Sequence, residues 1–275
     1  MQDKISLAGD LGSGKSTVSA ILIEKLGAEY YHTGAIVRSV AEKHGMSVVE
    51  LNVYMETHPE IDTEIDDGLR ALSTLDKFLI IDSRMAWHFT AGTFKVYLTT
   101  EVETSAYRIM NANRTGEHAK TIEDTVKDTL ARRASEKKRY MEMYGVDIKD
   151  LTNYDLVVDT TYVTPEEVAD VIVNAYEAWR KDKQYKKAYI SPLRINYPDE
   201  APNGELVSEL SRRLESGLDV PEAVLVENDG EFYVKNSAAT VLAYSFSSEN
   251  LIPARLEKYL GEAERAVYVK MKNSL

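Results

Sequence analysis

The sequence contains no cysteine. Disulfides, thiolate metal sites and a cysteine nucleophile are therefore excluded, which is typical of a protein from a reducing compartment. The chain has no apolar run close to the ~20 residues that span a bilayer, and its first residues lack the pattern of a signal peptide. These absences lead us to expect a cytoplasmic protein without a membrane partner.

Positive charge is also scarce, because 33 lysines and arginines face 45 aspartates and glutamates, for a formal net charge of −12. Proteins that bind nucleic acid generally carry a basic face, so we expect no general nucleic-acid binding. Apolar residues make up 44% of the 275 residues. That content supports a sizeable core, in one large domain or two smaller ones.

Strand-like and helix-like patterns alternate through the first 180 residues. Short apolar stretches predict the strands, and apolar residues at helical spacing predict the helices between them. The predicted strands are Lys4–Ala8, Glu29–His32, Phe78–Asp82, Phe94–Leu98 and Leu156–Asp159. The predicted helices are Ser16–Leu26, Thr33–His44, Ser47–Thr57, Ile61–Leu75, Glu103–Asn113, Ile122–Tyr144 and one from Pro165 to about Arg180, with a polar loop at Asn113–Lys120. This order predicts an α/β fold with a parallel sheet covered on both faces.

The character of the chain changes after the last of these helices. Lys181–Lys187 is a highly charged stretch with the composition of a linker. We therefore predict two domains, residues 1–182 and residues 183–275. The second is expected to be a small α+β module, with helices near Glu205–Ser216 and Ala238–Tyr244 and strands at Val224–Val226 and Glu231–Val234.

The segment from Gly9 to Ser16 matches the phosphate-loop motif G-x-x-x-x-G-K-[ST] without a gap. Glycines let successive backbone N–H groups turn toward a phosphate, and the following helix directs its positive end at the same anion. Lys15 is expected to reach the β- and γ-phosphates of ATP, and the Ser16 hydroxyl to bind Mg²⁺. The predicted ATP-binding residues are Gly9, Leu11, Gly12, Ser13, Gly14, Lys15, Ser16 and Thr17.

Asp82 is the last residue of the predicted strand Phe78–Asp82. An acid at such a strand end holds the Mg²⁺ shell in many phosphate-loop enzymes. We therefore predict that Ser16 and Asp82 form the metal site. The alternative for Asp82 is a surface carboxylate that caps the next element.

Four arginines stand where segments of the chain approach this site. Arg38 and Arg84 follow predicted strands, and Arg132 and Arg139 lie on the long charged helix. The planar guanidinium group matches phosphate oxygens, so these residues are candidate ligands for an acceptor phosphate. Glu136 shares one helix face with Arg132 and Arg139 and is suited to accept a hydrogen bond from an exocyclic amino group, as carboxylates do with cytosine. The residues alone leave open a solvated helix with intrahelical ion pairs.

Several further stretches within residues 1–180 follow the pattern of one family. They are His32–Arg38, His58–Asp62, Asp82–Ala86, Ser135–Tyr140, Tyr144–Ile148 and Asn153–Val157. With the phosphate loop, they make the sequence resemble the short, archaeal-type cytidylate kinases. The resemblance implies a P-loop nucleoside-monophosphate-kinase fold with a helical lid, ATP and Mg²⁺ on the donor side, and CMP or dCMP as acceptor.

The same resemblance implies roles for individual residues. Thr33, Arg38 and Arg84, together with Glu136, are expected to bind the acceptor. Lys15, Arg132 and Arg139 are expected to be catalytic, the two arginines arriving with the lid.

The segment after Asp82 departs from the family pattern. Ser83, and then Trp87 and His88, stand where members often have glycine, and Met85 replaces the aspartate of bacterial-type enzymes. Two other hypotheses therefore stay open. One is a P-loop kinase for a different small-molecule acceptor, and the other is a nucleotide-gated regulatory protein whose C-terminal module binds a partner.

The C-terminal stretch has its own family pattern at Ser191–Ile195, Glu231–Val234, Val241–Tyr244 and Ile252–Ala254. These segments are weakly similar to the ParB-like fold. Where that family carries its phosphate-binding signature, this chain has Ser237–Thr240, which carries no positive charge. We therefore expect a degenerate module that mediates self-association or binds a protein partner.

Overall fold

The computed structural model describes residues 3–55, 57–112, 121–196 and 202–259. The strands in these ranges are β1 (Lys4–Gly9), β2 (Glu29–His32), β3 (Leu79–Asp82), β4 (Thr93–Thr99), β5 (Leu156–Asp159), β6 (Lys187–Ile190), β7 (Ile195–Asn196), β8 (Ala223–Asn228), β9 (Glu231–Asn236) and β10 (Ile252–Glu257). The helices are α1 (Lys15–Leu26), α2 (Thr33–Lys43), α3 (Val48–Met55), α4 (Pro59–Ala71), α5 (Ala86–Phe89), α6 (Val102–Asn111), α7 (Ile122–Tyr144), α8 (Pro165–Lys181), α9 (Gly204–Glu215) and α10 (Ala238–Ser245). Across the described ranges, no helix combines the length and the hydrophobicity of a membrane span.

The first part of the sheet is parallel. Its strands lie in the order β2-β3-β1-β4-β5-β6, and each neighbouring pair runs parallel. β1, β3 and β5 are buried along their whole lengths, as expected of strands covered by helices on both faces. The predicted α/β fold with a parallel sheet is confirmed.

The sheet continues past the boundary predicted at residues 182 and 183. β6 pairs with β5, β10 pairs antiparallel with β6, and β8, β9 and β7 follow in that order. Lys181 ends α8 and Lys187 begins β6, so the predicted linker joins a helix to a strand of the same sheet. The division into two domains stays a prediction, and any such division would cut through one continuous sheet.

One apolar cluster also joins the two parts of the chain. Ala8 and Tyr97 from the parallel strands belong to the same buried cluster as Ile190 and Phe232. Trp87, one of the departures from the family pattern, is buried in this cluster as well. Its large side chain therefore fills the core between the first strands and the C-terminal strands.

Two helices that frame the site begin at side-chain caps. The hydroxyl of Thr164 accepts the N–H of Glu167 at 3.2 Å, and the Glu167 carboxylate accepts the N–H of Thr164 at 2.8 Å. This is the reciprocal cap typical of a Thr-x-x-Glu sequence at a helix start. At the start of α7 the Thr121 hydroxyl accepts the N–H of Asp124 at 3.1 Å, and Gly145, whose φ is 65°, caps the other end. The predicted loop Asn113–Lys120 lies outside the described residues.

Candidate active site

The loop between β1 and α1 has the backbone of an anion cradle. Gly12 and Gly14 have φ values of 71° and 82°, which are accessible to glycine at little cost. A Cβ on Gly9 would lie 2.5 Å from the carbonyl oxygen of Leu98, and one on Gly12 would lie 2.6 Å from that of Ser105. Gly14 also caps α1, so the positive end of that helix faces the loop.

Lys15 folds back onto this loop. Its Nζ donates to the carbonyl oxygens of Gly9 at 2.9 Å and Asp10 at 2.7 Å. Burial, and after it the charge of Arg84, lowers the pKa of Lys15 to about 7. The amino group therefore lies at the cradle itself, where polyphosphate oxygens require positive charge.

The two predicted magnesium ligands lie at the edge of the same cradle. Ser16 is exposed in the first turn of α1, next to the exposed Thr17, whereas Asp82 is only 5% exposed at the end of β3. Burial opposes ionisation of Asp82, but the neighbouring His32 ring and the charge of Lys15 lower its pKa. A hydroxyl and an ionised carboxylate are the hard oxygen donors that Mg²⁺ prefers, so these residues fit the ion.

Two predicted acceptor residues lie beside Asp82. The hydroxyl of Thr33 donates to the carbonyl oxygen of Asp82 at 3.3 Å. Arg38 is exposed, and its Nη2 lies 3.4 Å from Nε2 of His32, whose Nδ1 is 3.4 Å from the Asp82 carboxylate. Thr33 and Arg38 are thus brought close to the predicted metal ligand, although Arg38 reaches it only through His32.

A partly buried ion-pair bridge joins the β3 side of the site to α7. Nε of Arg84 donates to Oε2 of Glu136 at 3.0 Å, and Nε of Arg132 donates to Oε1 at 3.2 Å. Burial opposes ionisation of Glu136, but the two guanidinium groups lower its pKa to about 2. The structure therefore brings three predicted residues together, and one of their contacts is the intrahelical ion pair that the sequence left open.

Arg139 lies one turn farther along α7 and faces α4. Its Nε is 3.9 Å from Oδ2 of Asp62, and its Nη2 donates to the Tyr140 hydroxyl at 3.4 Å. The side chains of Arg139 and Asp62 are only 9% and 6% exposed. Arg139 is therefore buried between two helices rather than at the phosphate loop.

Sequence reasoning missed a second charged cluster, which is centred on Asp10 within the phosphate loop. Lys149 Nζ lies 2.6 Å from Oδ1 of Asp10, and the Tyr97 hydroxyl donates to the same oxygen at 2.8 Å. Nε of Arg133 is 3.8 Å away. Burial opposes ionisation of Asp10, but Lys149 and Arg133 lower its pKa. One signal was available, because a carboxylate within a buried glycine loop needs a cationic partner.

A cavity of about 20 Å³ remains between the phosphate loop and α7. Gly9 and Asp10 line one side, and Arg84, Arg133 and Glu136 line the other. That volume holds about one water molecule. Three cationic side chains line this cavity, those of Arg84, Arg133 and Lys149.

The C-terminal part of the chain reaches the carboxyl edge of the sheet at β5. Asp159 is fully buried there and accepts Nη1 of Arg194 at 2.9 Å, while Nη2 of Arg194 donates to the Gly230 carbonyl at 2.8 Å. Arg108 from α6 donates to the carbonyl oxygen of Thr160 at 2.6 Å. Arg194 therefore ties the turn between β8 and β9 to a connection that borders the site.

A family model described as the cytidylate kinase-like family matches residues 4–162. The chain belongs to the cytidylate kinase-like family. The match begins at β1 and includes the phosphate loop, Asp82, Arg84 and the whole of α7, and it ends before β6. The predicted enzyme class, a nucleoside-monophosphate kinase, is thereby confirmed, and the C-terminal strands lie outside the matched residues.

Individual relatives agree with this membership. A curated protein named cytidylate kinase, from Thermoplasma volcanium, is 37% identical over 186 residues, which are 66% of this chain and 95% of that protein. A protein named S-adenosylmethionine-dependent nucleotide dehydratase, from Lacinutrix mariniflava, is also 37% identical, over 64% of this chain but only 36% of that protein. Among solved structures, an uncharacterised protein from Eubacterium ventriosum superposes with a TM-score of 0.50 at 15% identity, over 64% of this chain and 99% of the other, and bears on the fold alone.

Proposed function

We propose that this family member transfers the γ-phosphoryl group of ATP to CMP or dCMP and forms ADP with CDP or dCDP. The observation that carries the proposal is the meeting of two sets of charges at the phosphate loop. Lys15 lies in the glycine cradle, and Arg84 and Arg133 face it from the acceptor side and from α7. A cradle for one polyphosphate and facing guanidinium groups suit two phosphorylated substrates that react with each other.

Phosphoryl transfer requires mainly that the protein position the two substrates and stabilise the charge on their phosphates. An anionic oxygen of the acceptor phosphate attacks the γ-phosphorus, and the bond to the β–γ bridging oxygen breaks as ADP leaves. Mg²⁺ held through Ser16 and Asp82 would neutralise charge on the donor phosphates. In this scheme Arg84 holds the acceptor phosphate, and Lys15 stabilises charge on the transferred group. No general base is required, because the attacking oxygen is already anionic.

Helix α7 has a second role in this scheme. It moves away to admit the nucleotides and closes over them once they are bound. Closure brings Arg133 to the reacting groups and excludes water, which suppresses hydrolysis of ATP.

A nucleotide panel tests the proposal. The purified full chain is incubated with ATP, Mg²⁺ and one of CMP, dCMP, UMP, AMP or GMP, and ADP and the nucleoside diphosphate are quantified. CMP or dCMP should turn over at least ~10-fold faster than the others, the scale of a correctly recognised polar group. Lys15→Ala should lose at least ~100-fold of this turnover, whereas Lys25→Ala, which removes an exposed ion pair on the same helix, should not.

The panel also separates the other hypotheses. ADP formation with a non-nucleotide acceptor, and with none of the monophosphates, would indicate a different acceptor class. Tight ATP binding without turnover on any acceptor would indicate a nucleotide-gated regulatory protein. Turnover of Lys15→Ala near the wild-type level would contradict the proposed site.

A further inference from the structure

Asp62 is a buried carboxylate with unused hydrogen-bonding capacity. It is 4% exposed, and its Oδ2 has no hydrogen-bond partner among the residues that the structure describes. Burial raises the pKa of this carboxyl group, which the facing Arg139 charge only partly offsets. Buried carboxylate oxygens nearly always have partners, because leaving one unsatisfied is costly. A hydrogen-bond donor on a bound ligand would satisfy this oxygen.

The position of Asp62 indicates which part of a bound nucleotide it could contact. Arg139, its neighbour at 3.9 Å, is three residues from Glu136 on α7, a rise of about 4.5 Å. Glu136 lines the cavity at the phosphate loop together with Arg84. Asp62 thus lies on α4, beyond the phosphate-binding end of the acceptor site. A nucleoside monophosphate held by its phosphate at Arg84 would meet Asp62 if its base extended along α7 toward α4.

The other candidate for contact with the base, Glu136, is already engaged. Each of its carboxylate oxygens accepts a hydrogen bond from an arginine, Oε2 from Arg84 and Oε1 from Arg132. Both arginines are suited to phosphate contacts. Glu136 therefore holds phosphate-binding side chains in place, whereas Asp62 keeps an oxygen available.

We propose that Asp62 accepts a hydrogen bond from the 4-amino group of the acceptor's base, while Arg139 donates to the acceptor atoms beside it. This inference rests on the proposed function and names the side chains that select the base. It places the base between α4 and α7, and it gives Asp62 the hydrogen-bonding role that was predicted for Glu136.

The proposed pair matches cytosine and opposes uracil. Cytosine presents an amino donor at position 4 next to acceptors at N3 and O2, which complements one carboxylate and one guanidinium group. Uracil presents a carbonyl oxygen at position 4, which an ionised carboxylate repels. An amide at position 62 can donate as well as accept, so Asp62→Asn removes the reason for discrimination.

Binding of CMP and of UMP to the full chain tests the proposal. Both dissociation constants are measured by titration calorimetry with Mg²⁺ and a non-hydrolysable ATP analogue present. The preference for CMP is defined as Kd for UMP divided by Kd for CMP. It should fall at least about tenfold in Asp62→Asn, because the variant loses one hydrogen bond that distinguishes the two bases. The matched control is Asp66→Asn, one turn along α4, because the Asp66 carboxylate already accepts the Tyr144 hydroxyl. Its preference should match the wild type.

An unchanged preference in a folded Asp62→Asn protein overturns the proposal, as does an equal loss in Asp66→Asn. Should Asp62→Asn fail to fold by circular dichroism, Asp62→Ser replaces it under the same criterion. A measurement on the wild type does not depend on either variant. The CMP analogue with hydrogen in place of the 4-amino group should bind to it at least about tenfold more weakly than CMP does. Equal binding rejects the proposal. Because these readouts are affinities, they hold even where the nucleotide panel shows no turnover.

Discussion

A bound polyphosphate should raise the pKa of Lys15. In the structure burial and the nearby Arg84 charge lower its pKa from 10.5 to about 7. Phosphates at the glycine cradle add negative charge, which favours the protonated amine and raises this pKa. At a pH above 7 the Lys15 amine of the free protein is therefore largely neutral, and ATP binding shifts it toward the protonated form. ATP binding at a pH of about 8.5 should therefore take up a proton at Lys15.

Calorimetry in buffers of different ionisation enthalpy measures that proton directly. The heat of ATP binding should depend on the buffer in the wild type, with an uptake of up to one proton. The dependence should disappear in Lys15→Met and persist in Lys25→Met, which lies on the same helix but is exposed. A buffer-independent heat in the wild type would show that Lys15 is already protonated before ATP binds.

Arg133 and Arg132 are neighbours in sequence with different surroundings. Arg133 lines the cavity at the phosphate loop, and its buried Nε has no hydrogen-bond partner within the described ranges. Arg132 is 37% exposed and bonded to Glu136. Arg133→Ala should therefore lower turnover by about 100-fold, the scale of one preorganised transition-state contact, and Arg132→Ala by about tenfold or less. Steady-state kinetics with CMP compare the turnover of the two variants. A larger loss of turnover in Arg132→Ala would favour Arg132, the catalytic residue predicted from the sequence.

Helix α8 offers a simple test of local structure. Its reciprocal cap joins Thr164 and Glu167 at the surface, so the variant Thr164→Ala removes the cap without opening a cavity. The loss should be about 1 kcal/mol of unfolding free energy. Glu166→Ala in the same turn makes no cap bond and should cost only a few tenths of that. Chemical denaturation measures both, and equal losses would mean that the cap adds nothing beyond the helix dipole.

Elements defined by local rules could be predicted from the sequence, and those defined by distant partners could not. The phosphate loop, the α8 cap and α7 follow from spacing within a few residues. β6 reads only Lys-Ala-Tyr-Ile and follows a charged stretch, so its strand character depends on pairing with β5 and β10. Pro253 in β10 weakens the local strand signal in the same way.

The site shows the same division. Lys15, Asp82 and Arg84 could be placed near the cradle because each follows a strand that ends at the carboxyl edge of a parallel sheet. The contact between Asp10 and Lys149 joins residues 139 positions apart, and no sequence pattern predicts it. The same holds for the buried pair of Asp62 and Arg139, because each side chain looks like an ordinary surface charge on its helix.

The strands that the structure describes form one sheet, which predicts the outcome of a truncation. Residues 183–259 supply β6 to β10, and Ile190 and Phe232 belong to the cluster that contains Tyr97 and Trp87. Removing them exposes that cluster and leaves the buried Asp159 without Arg194, an unpaired charge that typically costs about 3–5 kcal/mol. A fragment of residues 1–182 should therefore aggregate or unfold without a sharp transition. Circular dichroism melting and gel filtration measure this, and a monomeric fragment with the melting temperature of the full chain would indicate two independent domains.

The self-association or partner binding expected of the C-terminal segment stays a prediction. Within the described residues, this segment extends the sheet and fixes the connection after β5 through Arg194. Its strands lie outside the family match, so they represent an addition to the kinase fold of this chain.

Product analysis by ³¹P NMR tests the proposed phosphoryl transfer most directly. The full chain is mixed with Mg²⁺, ATP and CMP, and the resonances of ATP, ADP, CDP and inorganic phosphate are followed over time. We expect ADP and CDP to appear in equal amounts, with little inorganic phosphate, and we expect no reaction in Lys15→Ala. ADP that accumulates with inorganic phosphate instead of CDP, or an unchanged spectrum, would contradict transfer between two nucleotides at this loop.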